Sequence, residues 1–370
     1  MMENNWYNIE DIEQLDSPAL VIYLDRVRRN IATLLSMVDD VNQLRPHVKT
    51  HKSPDITRML IEAGIQKFKC ATIAEAEMLG QCSAHDVLLA YQPTGPKIDR
   101  LLTLIGKYNQ TKYSCLIDNI NTARQISARA ESFGITVPVF IDLNVGMNRT
   151  GIVPGQPTVD LIREVNDLRG IRVTGLHAYD GHIHTVNFEK RKRECDEGFR
   201  PILEMNRQLQ ELGYTLTIVA GGSPTFPIHI RRMNVECSPG TFVYWDRGYQ
   251  EMLPEQEFVP AALVVSRVIS HPADKLFCLD LGHKSIAPEN PLTRRVSFYD
   301  APKMKFIGQS EEHLVVQCES DLDLNVGDVL YGVPIHICPT VALYDHVLII
   351  EKGKVVDKWP VIARNRGITV

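Results

Sequence analysis

Leu44-Arg45-Pro46-His47-Val48-Lys49-Thr50-His51-Lys52 reads as a short extended run ending in a basic cluster. A lysine at the end of such a run projects its amine into a cavity and can hold a carbonyl compound as a Schiff base, with His47, Thr50 and His51 bringing polar groups beside it. Taken alone, a basic cluster of this kind is more often a solvated surface loop. The rest of the chain decides between the two.

Working outward, β-rich runs at 44–49, 67–71, 86–91, 112–117, 137–143, 172–177, 216–220 and 234–237 alternate with helix-length amphipathic stretches. In one of these, Asn119 can cap a helix that carries Ile120, Ala123, Ile126 and Ala130 on one stripe, and Gly134 can end it. Eight strands with helical crossovers make a closed parallel (β/α)8 barrel of the TIM type. The alternative, a doubly wound open sheet, lacks its G-x-G-x-x-G in the early strand-turn-helix segments. After about residue 250 the pattern changes to runs at 258–270, 275–281, 295–298, 313–318, 329–337 and 347–351, separated by Pro, Gly, Asn and Asp turns. The expected organisation is an α/β barrel over residues 20–250 and a C-terminal mainly-β domain over 251–370, joined by about residues 1–19.

Composition removes several functions. The 370 residues, 44% apolar and 23% charged, can bury a large core, and a formal net charge of −5 offers no basic field for nucleic acid or anionic lipid. Met1-Met2-Glu3-Asn4-Asn5-Trp6 shows no basic region followed by an apolar stretch, and no later segment is apolar for long enough to cross a bilayer. No nucleic-acid or membrane partner and a cytoplasmic location are expected. Eight scattered cysteines with no C-x-x-C pair suit reduced core thiols.

The polar residues then acquire meaning from their places. Lys49 ends the first expected strand, Asn144-Val145-Gly146-Met147-Asn148-Arg149 follows the fifth, Tyr179-Asp180-Gly181-His182-Ile183-His184 the sixth, Gly221-Gly222-Ser223 the seventh and Ser238-Pro239-Gly240-Thr241 the eighth. In a barrel all five converge on one rim. Gly221, Gly222 and Gly240 let backbone N–H groups approach a phosphate closely, and Ser223 and Thr241 add hydroxyl donors. Arg149 carries a planar fork suited to a phenolate or a carboxylate. Tyr179, His182 and His184 can supply acid–base groups or stack near a flat ring, although each alone also reads as a satisfied structural residue. An amine that traps a carbonyl, with His47 beside it and a phosphate cup nearby, points to pyridoxal 5′-phosphate.

These motifs resemble the fold-type III pyridoxal phosphate enzymes, in the D-threonine aldolase and D-serine dehydratase-like branch. The resemblance runs over almost the whole chain, through Asp16-Ser17-Pro18-Ala19-Leu20, Arg45–Lys52, Gly146-Met147-Asn148-Arg149-Thr150-Gly151, Gly221-Gly222-Ser223-Pro224-Thr225, Ser310-Glu311-Glu312-His313 and Pro334-Ile335-His336-Ile337-Cys338-Pro339-Thr340. It implies that Lys49 is the Schiff-base lysine, that Arg149 contacts the cofactor's ring oxygen, and that the chain works as a homodimer with active sites close to the subunit interface.

His336 and Cys338 lie at i and i+2 on an expected strand, facing one side, and imidazole plus thiolate suits zinc. A buried histidine beside a core cysteine is the alternative. The resemblance implies a divalent metal beside the cofactor, zinc ahead of manganese or magnesium, and a lyase of small D-3-hydroxy amino acids. Breaking Cα–Cβ, with His182 or His184 taking the β-hydroxyl proton, releases glycine and an aldehyde; breaking Cα–H, with Lys49 taking the proton and the metal stabilising departing hydroxide, leads to a keto acid and ammonia. His-x-Cys suits the dehydratases, whereas the whole chain, including Trp359-Pro360-Val361-Ile362-Ala363-Arg364, resembles D-threonine aldolases more closely. The expected activity is therefore D-threonine aldolase, ahead of D-serine or D-threo-3-hydroxyaspartate dehydratase. Racemisation ranks third, since Ser238 stands where racemases place an arginine against the pyridine nitrogen. A non-catalytic pyridoxal phosphate-binding protein would need Lys49 and the phosphate cup but no metal pair.

Overall fold

The computed structural model describes residues 6–299, 301, 303–318 and 324–370. The segment Met1–Asn5, read above for a leader, lies outside the described residues. The chain forms two units: Met1–Leu34 with Thr50–Ser53 and Thr241–Arg364, and Leu35–Lys49 with Pro54–Gly240 and Asn365–Val370. Among the described residues no helix is long and apolar enough to cross a membrane.

In chain order, β1 (Ala19–Tyr23) belongs to the first unit and β2 (Lys67–Cys70), β3 (Asp86–Leu89), β4 (Lys112–Ile117), β5 (Val137–Asp142), β6 (Ile171–Ala178), β7 (Thr217–Ala220) and β8 (Val235–Cys237) to the second. Strands β2 to β8 are parallel neighbours in sequence order. The eighth wall position is the opening stretch, but it is not a regular strand. Leu44 bridges Cys237 and His47 bridges Lys69, so residues 44–48 touch both sheet edges and close the barrel. Pro46 has no N–H to add to a ladder, which reduces the expected strand 44–49 to isolated bridges and leaves Lys49 in the following turn.

Helices on the outside make the crossovers. Asn119 accepts from Thr122 N–H and caps Ile120–Ser132, whose Ala123, Ile126 and Ala130 are buried, and Gly134 follows at φ +68°, where glycine carries no Cβ penalty. Leu88 of β3, Leu116 of β4, Phe140 of β5 and Val219 of β7 pack into one buried cluster.

The first unit adds β9 (Ala262–Ala273), β10 (Leu276–Leu279), β11 (Val296–Phe298), β12 (Lys305–Gln309), β13 (Leu314–Gln317), β14 (Val329–Pro334), β15 (His346–Glu351) and β16 (Lys354–Pro360). One sheet runs β12-β13-β10-β9-β1-β15-β16, with β14 pairing β9 and β11. β1 sits inside this sheet, antiparallel to β9 and parallel to β15. Its ladders draw residues 20–34 into the β unit, whose later part begins at Thr241; the sequence reading placed its divisions at 20 and about 250.

The expected strand 329–337 also ends early. β14 stops at Pro334, His336 caps the short helix Ile337–Val341, and Cys338 lies in its first turn. Pro339 is tolerated in a first helical turn and would break a ladder, while Asp246 Oδ2 accepts the Ile337 N–H at 3.0 Å.

Candidate active site

In the barrel unit, Lys49 follows the His47 bridge, and its N–H donates to His47 Nδ1 at 3.2 Å. The side chain opens onto a cavity of about 720 Å³, a volume suited to a cofactor-sized ligand. His47, Arg149 and Tyr179, all singled out from sequence, line it, together with Lys69, Asp142 and His177, which were not. Lys49 Nζ, Lys69 Nζ and Arg149 Cζ lie 5.9, 5.2 and 5.3 Å from the centre of the Tyr179 ring, so three basic groups gather around one aromatic ring.

The loop that presents Arg149 folds back on the end of β5. Asn144 Oδ1 accepts from the N–H groups of Gly146 and Asn148, at 3.2 and 3.0 Å. Gly151 has φ +99°, and a Cβ there would sit 2.6 Å from Asn144 N. His177 Nδ1 and Asp142 Oδ1 are 2.7 Å apart and buried. Burial, followed by the charge of Lys69, pushes His177 down to about 4, so near neutrality the ring is uncharged. With Asp142 accepting at Nδ1–H, Nε2 offers a lone pair; it is buried without a hydrogen-bond partner among the described residues.

Gly221, Gly222, Ser223 and Gly240 are buried at the ends of β7 and β8 but are not among the residues lining this cavity. Gly222 abuts Tyr179, with an added Cβ 3.1 Å from the ring. Ser238 Oγ, just past β8, is buried without a partner among the described residues. An amine beside a flat aromatic ring, surplus basic groups, a close-packed glycine and the unsatisfied buried hydroxyl of Ser238 fit a planar, anionic aldehyde such as pyridoxal phosphate. His182 and His184 are exposed and outside the cavity lining. The His182 ring packs on Gly146, where a Cβ would lie 2.9 Å from Nε2.

Asp180, Cys195 and His229 form a second buried group, close enough to suggest a metal site. Hydrogen bonding accounts for it better. Arg232 Nε donates to His229 Nδ1, so Nε2 carries the proton and donates to Asp180 Oδ2 at 2.9 Å. That separation is shorter than two ligands keep on one tetrahedral zinc with bonds of about 2.0–2.2 Å. Thr225 Oγ1 donates to Asp180 Oδ1 at 2.7 Å, tying the loop after β6 to the loop after β7 and so setting Tyr179 against Gly222.

The first unit holds the other sequence-derived pair. His336 and Cys338 hydrogen-bond each other, and Cys338 Sγ lies 3.1 Å from Thr50 Oγ1 and 3.7 Å from buried Thr241 Oγ1. His336 Nδ1 is 2.7 Å from Glu289 Oε1, leaving Nε2 as the outward nitrogen. Burial lowers the His336 pKa, but the hydrogen bond and charge of Cys338 and the carboxylates of Asp246 and Glu289 outweigh it and hold it up to about 9. A negative setting around imidazole and thiolate, with a carboxylate on the other ring nitrogen, fits a zinc-type cation and leaves coordination positions open. The pair meets through a cap and first helical turn, not along one face of a strand.

Lys69 was readable in principle. It lies between fully buried Phe68 and Cys70 in β2, and a lysine in a strand buried on both faces is costly without a partner or ligand. Asp142 and His177 are register partners across β5 and β6, a relation that appears only once the register is known.

Comparison with known proteins agrees with this geometry. Residues 22–248 match the alanine racemase N-terminal domain, and residues 261–350 match the putative serine dehydratase domain. The chain is 28% identical to a D-threonine aldolase of an Arthrobacter species over 96% of its length and 94% of the relative's. It is likewise 28% identical to 3-hydroxy-D-aspartate aldolase of Paracoccus denitrificans, with the same coverage. The crystal structure of D-threonine aldolase from Filomicrobium marinum superposes with a TM-score of 0.86 at 28% identity, covering 94% of this chain and 95% of that one. The chain therefore belongs to the alanine racemase N-terminal domain family, in the D-threonine aldolase and D-serine dehydratase-like branch of the fold-type III pyridoxal phosphate enzymes.

Proposed function

We propose that the protein is a pyridoxal phosphate- and divalent-metal-dependent lyase that cleaves the Cα–Cβ bond of D-threonine or a similar D-3-hydroxy amino acid, giving glycine and an aldehyde. The observation that carries this reading is Lys49 opening onto the cavity it shares with Tyr179 and Arg149. When bound, the cofactor withdraws electrons from the Cα bonds of an attached substrate amine, and the metal acidifies a β-hydroxyl.

The protein's own residues divide the remaining work. Lys49 anchors the aldehyde and, once released, is an amine base within the cavity. Tyr179 provides a flat wall, His47 supports the Lys49 turn, and Arg149 holds an oxyanion. Gly221, Gly222, Ser223, Gly240 and Thr241 are the assigned phosphate cup. His182 and His184 are assigned to the β-hydroxyl proton, and neutral His177 offers a further acceptor. His336 and Cys338 hold zinc, or manganese or magnesium in its place, with Glu289 orienting the imidazole. Dehydration of D-serine or D-threo-3-hydroxyaspartate stands second, favoured by the thiolate ligand Cys338 and by a D-threo-3-hydroxyaspartate dehydratase of a Delftia species at 24% identity. The reading includes a cytoplasmic homodimer, for which sedimentation gives the assembly.

Incubation with D-threonine, D-serine and D-threo-3-hydroxyaspartate, each with cofactor and zinc or manganese, tests it. Acetaldehyde plus glycine from D-threonine is expected; a keto acid plus ammonia supports the dehydratase; neither product refutes a lyase. Lys49→Ala should abolish the borohydride-trappable imine and lower turnover by at least about 10³-fold.

A further inference from the structure

Lys69 is the second amine of the Lys49 cavity, and it is 4% exposed. Its backbone is fixed, because its N–H donates to Pro46 O and its carbonyl accepts from Val48 N–H on one side, while β3 flanks it on the other. The side chain is thus a built part of the barrel wall. Among the described residues its ammonium has no hydrogen-bond or ion-pair partner, and it lies 5.2 Å from the centre of the Tyr179 ring.

Two carboxylates act on it through space, Asp142 and Asp180. Both are committed elsewhere, Asp142 to His177 and Thr150, Asp180 to His229 and Thr225. Lys49 and Arg149 add like charge from the same cavity. Burial first, and Lys49 next, push the Lys69 amine down to about 7. A buried ammonium without an anion is costly, and it is retained where a ligand supplies the missing charge.

We propose that Lys69 is an anion-binding residue of this site, receiving together with Arg149 an oxyanion of the ligand held in the Lys49 cavity. The oxyanion is either the ring oxygen of the cofactor or the carboxylate of the amino acid, and the proposal rests on the cofactor reading given above. Three basic groups lie around the Tyr179 ring, and the cavity's own carboxylates, Asp118 and Asp142, already accept from Gly151 N–H and pair with His177, so the site suits a ligand carrying more than one negative group.

Wild type, Lys69→Gln and Lys69→Arg, each shown to be folded by circular dichroism, are titrated with pyridoxal 5′-phosphate and with its 3-deoxy analogue by imine absorbance. The loaded proteins are then titrated with D-threonine. Lys69→Met replaces Lys69→Gln if the latter does not fold. An approximately tenfold weaker cofactor affinity in the neutral variant, absent with the deoxy analogue and recovered in Lys69→Arg, assigns the ring oxygen. Unchanged cofactor affinity with about tenfold weaker D-threonine binding, again recovered by arginine, assigns the carboxylate. Changes below about threefold in both titrations overturn the proposal while a trapped imine at Lys49 keeps the cofactor reading. Trapping at Lys69 in place of Lys49 also overturns it, and absence of any trapped imine in wild type removes the cofactor reading and this proposal together.

Discussion

Arg45 and Lys69 are both buried cations of the barrel unit, 2% and 4% exposed, and the fold treats them in opposite ways. Arg45 is clamped between Glu236 and Asp86, each at 2.6 Å, and those carboxylates also take Lys67 and Lys112. Lys67, Asp86 and Lys112 begin β2, β3 and β4, so this network closes the end of the barrel opposite the strands' carboxyl ends. Burial lowers the Arg45 pKa, but the two carboxylates outweigh it and leave it raised. Lys69 lines the cavity, has no such clamp and falls to about 7. The difference separates a charge that builds the barrel from one kept for a ligand.

The strongest way to break this comparison is to remove each cation. Arg45→Met leaves two buried carboxylates facing each other and should cost about 3–5 kcal/mol in denaturant unfolding. Lys69→Gln removes an uncompensated charge and should change stability by less than about 1 kcal/mol, or raise it. Equal losses at the two positions would show that Lys69 is structural.

Raising the pH sharpens the same contrast without changing Arg45. The unfolded lysine titrates near 10.4 and the folded Lys69 amine at about 7. Below about pH 7 both states carry the proton and the full cost of burying the charge remains. Between the two values the unfolded chain binds more protons, so stability rises with pH. Relative to Lys69→Gln, cofactor-free wild type should gain roughly 2 kcal/mol between about pH 7 and 9 in paired unfolding curves. A constant difference would contradict the unpaired state.

The barrel strands were legible because each is a short apolar run between helical stretches, and β2 to β8 match those runs to within two residues at most ends. The first wall segment was legible in place but not in form, since Pro46 replaces a ladder with bridges. β1 was obscured because its partners, β9 and β15, lie more than two hundred residues away, and local periodicity carries no pairing information. Lys49, His47, Arg149 and Tyr179, singled out because they lie in or just after expected strands, line the cavity; Lys69 and the Asp142–His177 pair were not singled out, because inward parity and cross-strand register are properties of the closed barrel. His336 and Cys338 were visible as residue types, while the expected strand stops at Pro334 and gives way to the short helix Ile337–Val341.

The two His–Cys groups extend the comparison to metals. His229 is saturated by Arg232 and Asp180, whereas His336 meets Glu289 at Nδ1 and otherwise bonds Cys338, the residue proposed to share its metal. Glu289→Gln should weaken zinc affinity about 10–100-fold by competition with a chelating dye. Cys195→Ala should leave bound zinc unchanged while Cys338→Ser lowers it. Loss of zinc from the Cys195 variant would reverse the assignment of the two groups.

The smallest effect is expected where the barrel's packing touches the cavity most lightly. An added methyl at Gly222 meets the Tyr179 ring at 3.1 Å, and φ there is not positive, so the backbone tolerates alanine and the ring must give by a few tenths of an ångström. Gly221 differs, with φ +77° and His229 at 2.9 Å, so alanine there strains the backbone and presses on the Asp180 latch. Gly222→Ala should therefore weaken cofactor binding by a factor of about 5 or less, under about 1 kcal/mol, with little change in unfolding. Gly221→Ala should show mainly as lost stability. If Gly222→Ala left cofactor affinity untouched while Gly221→Ala reduced it, Tyr179 would not be the wall against which the ligand lies.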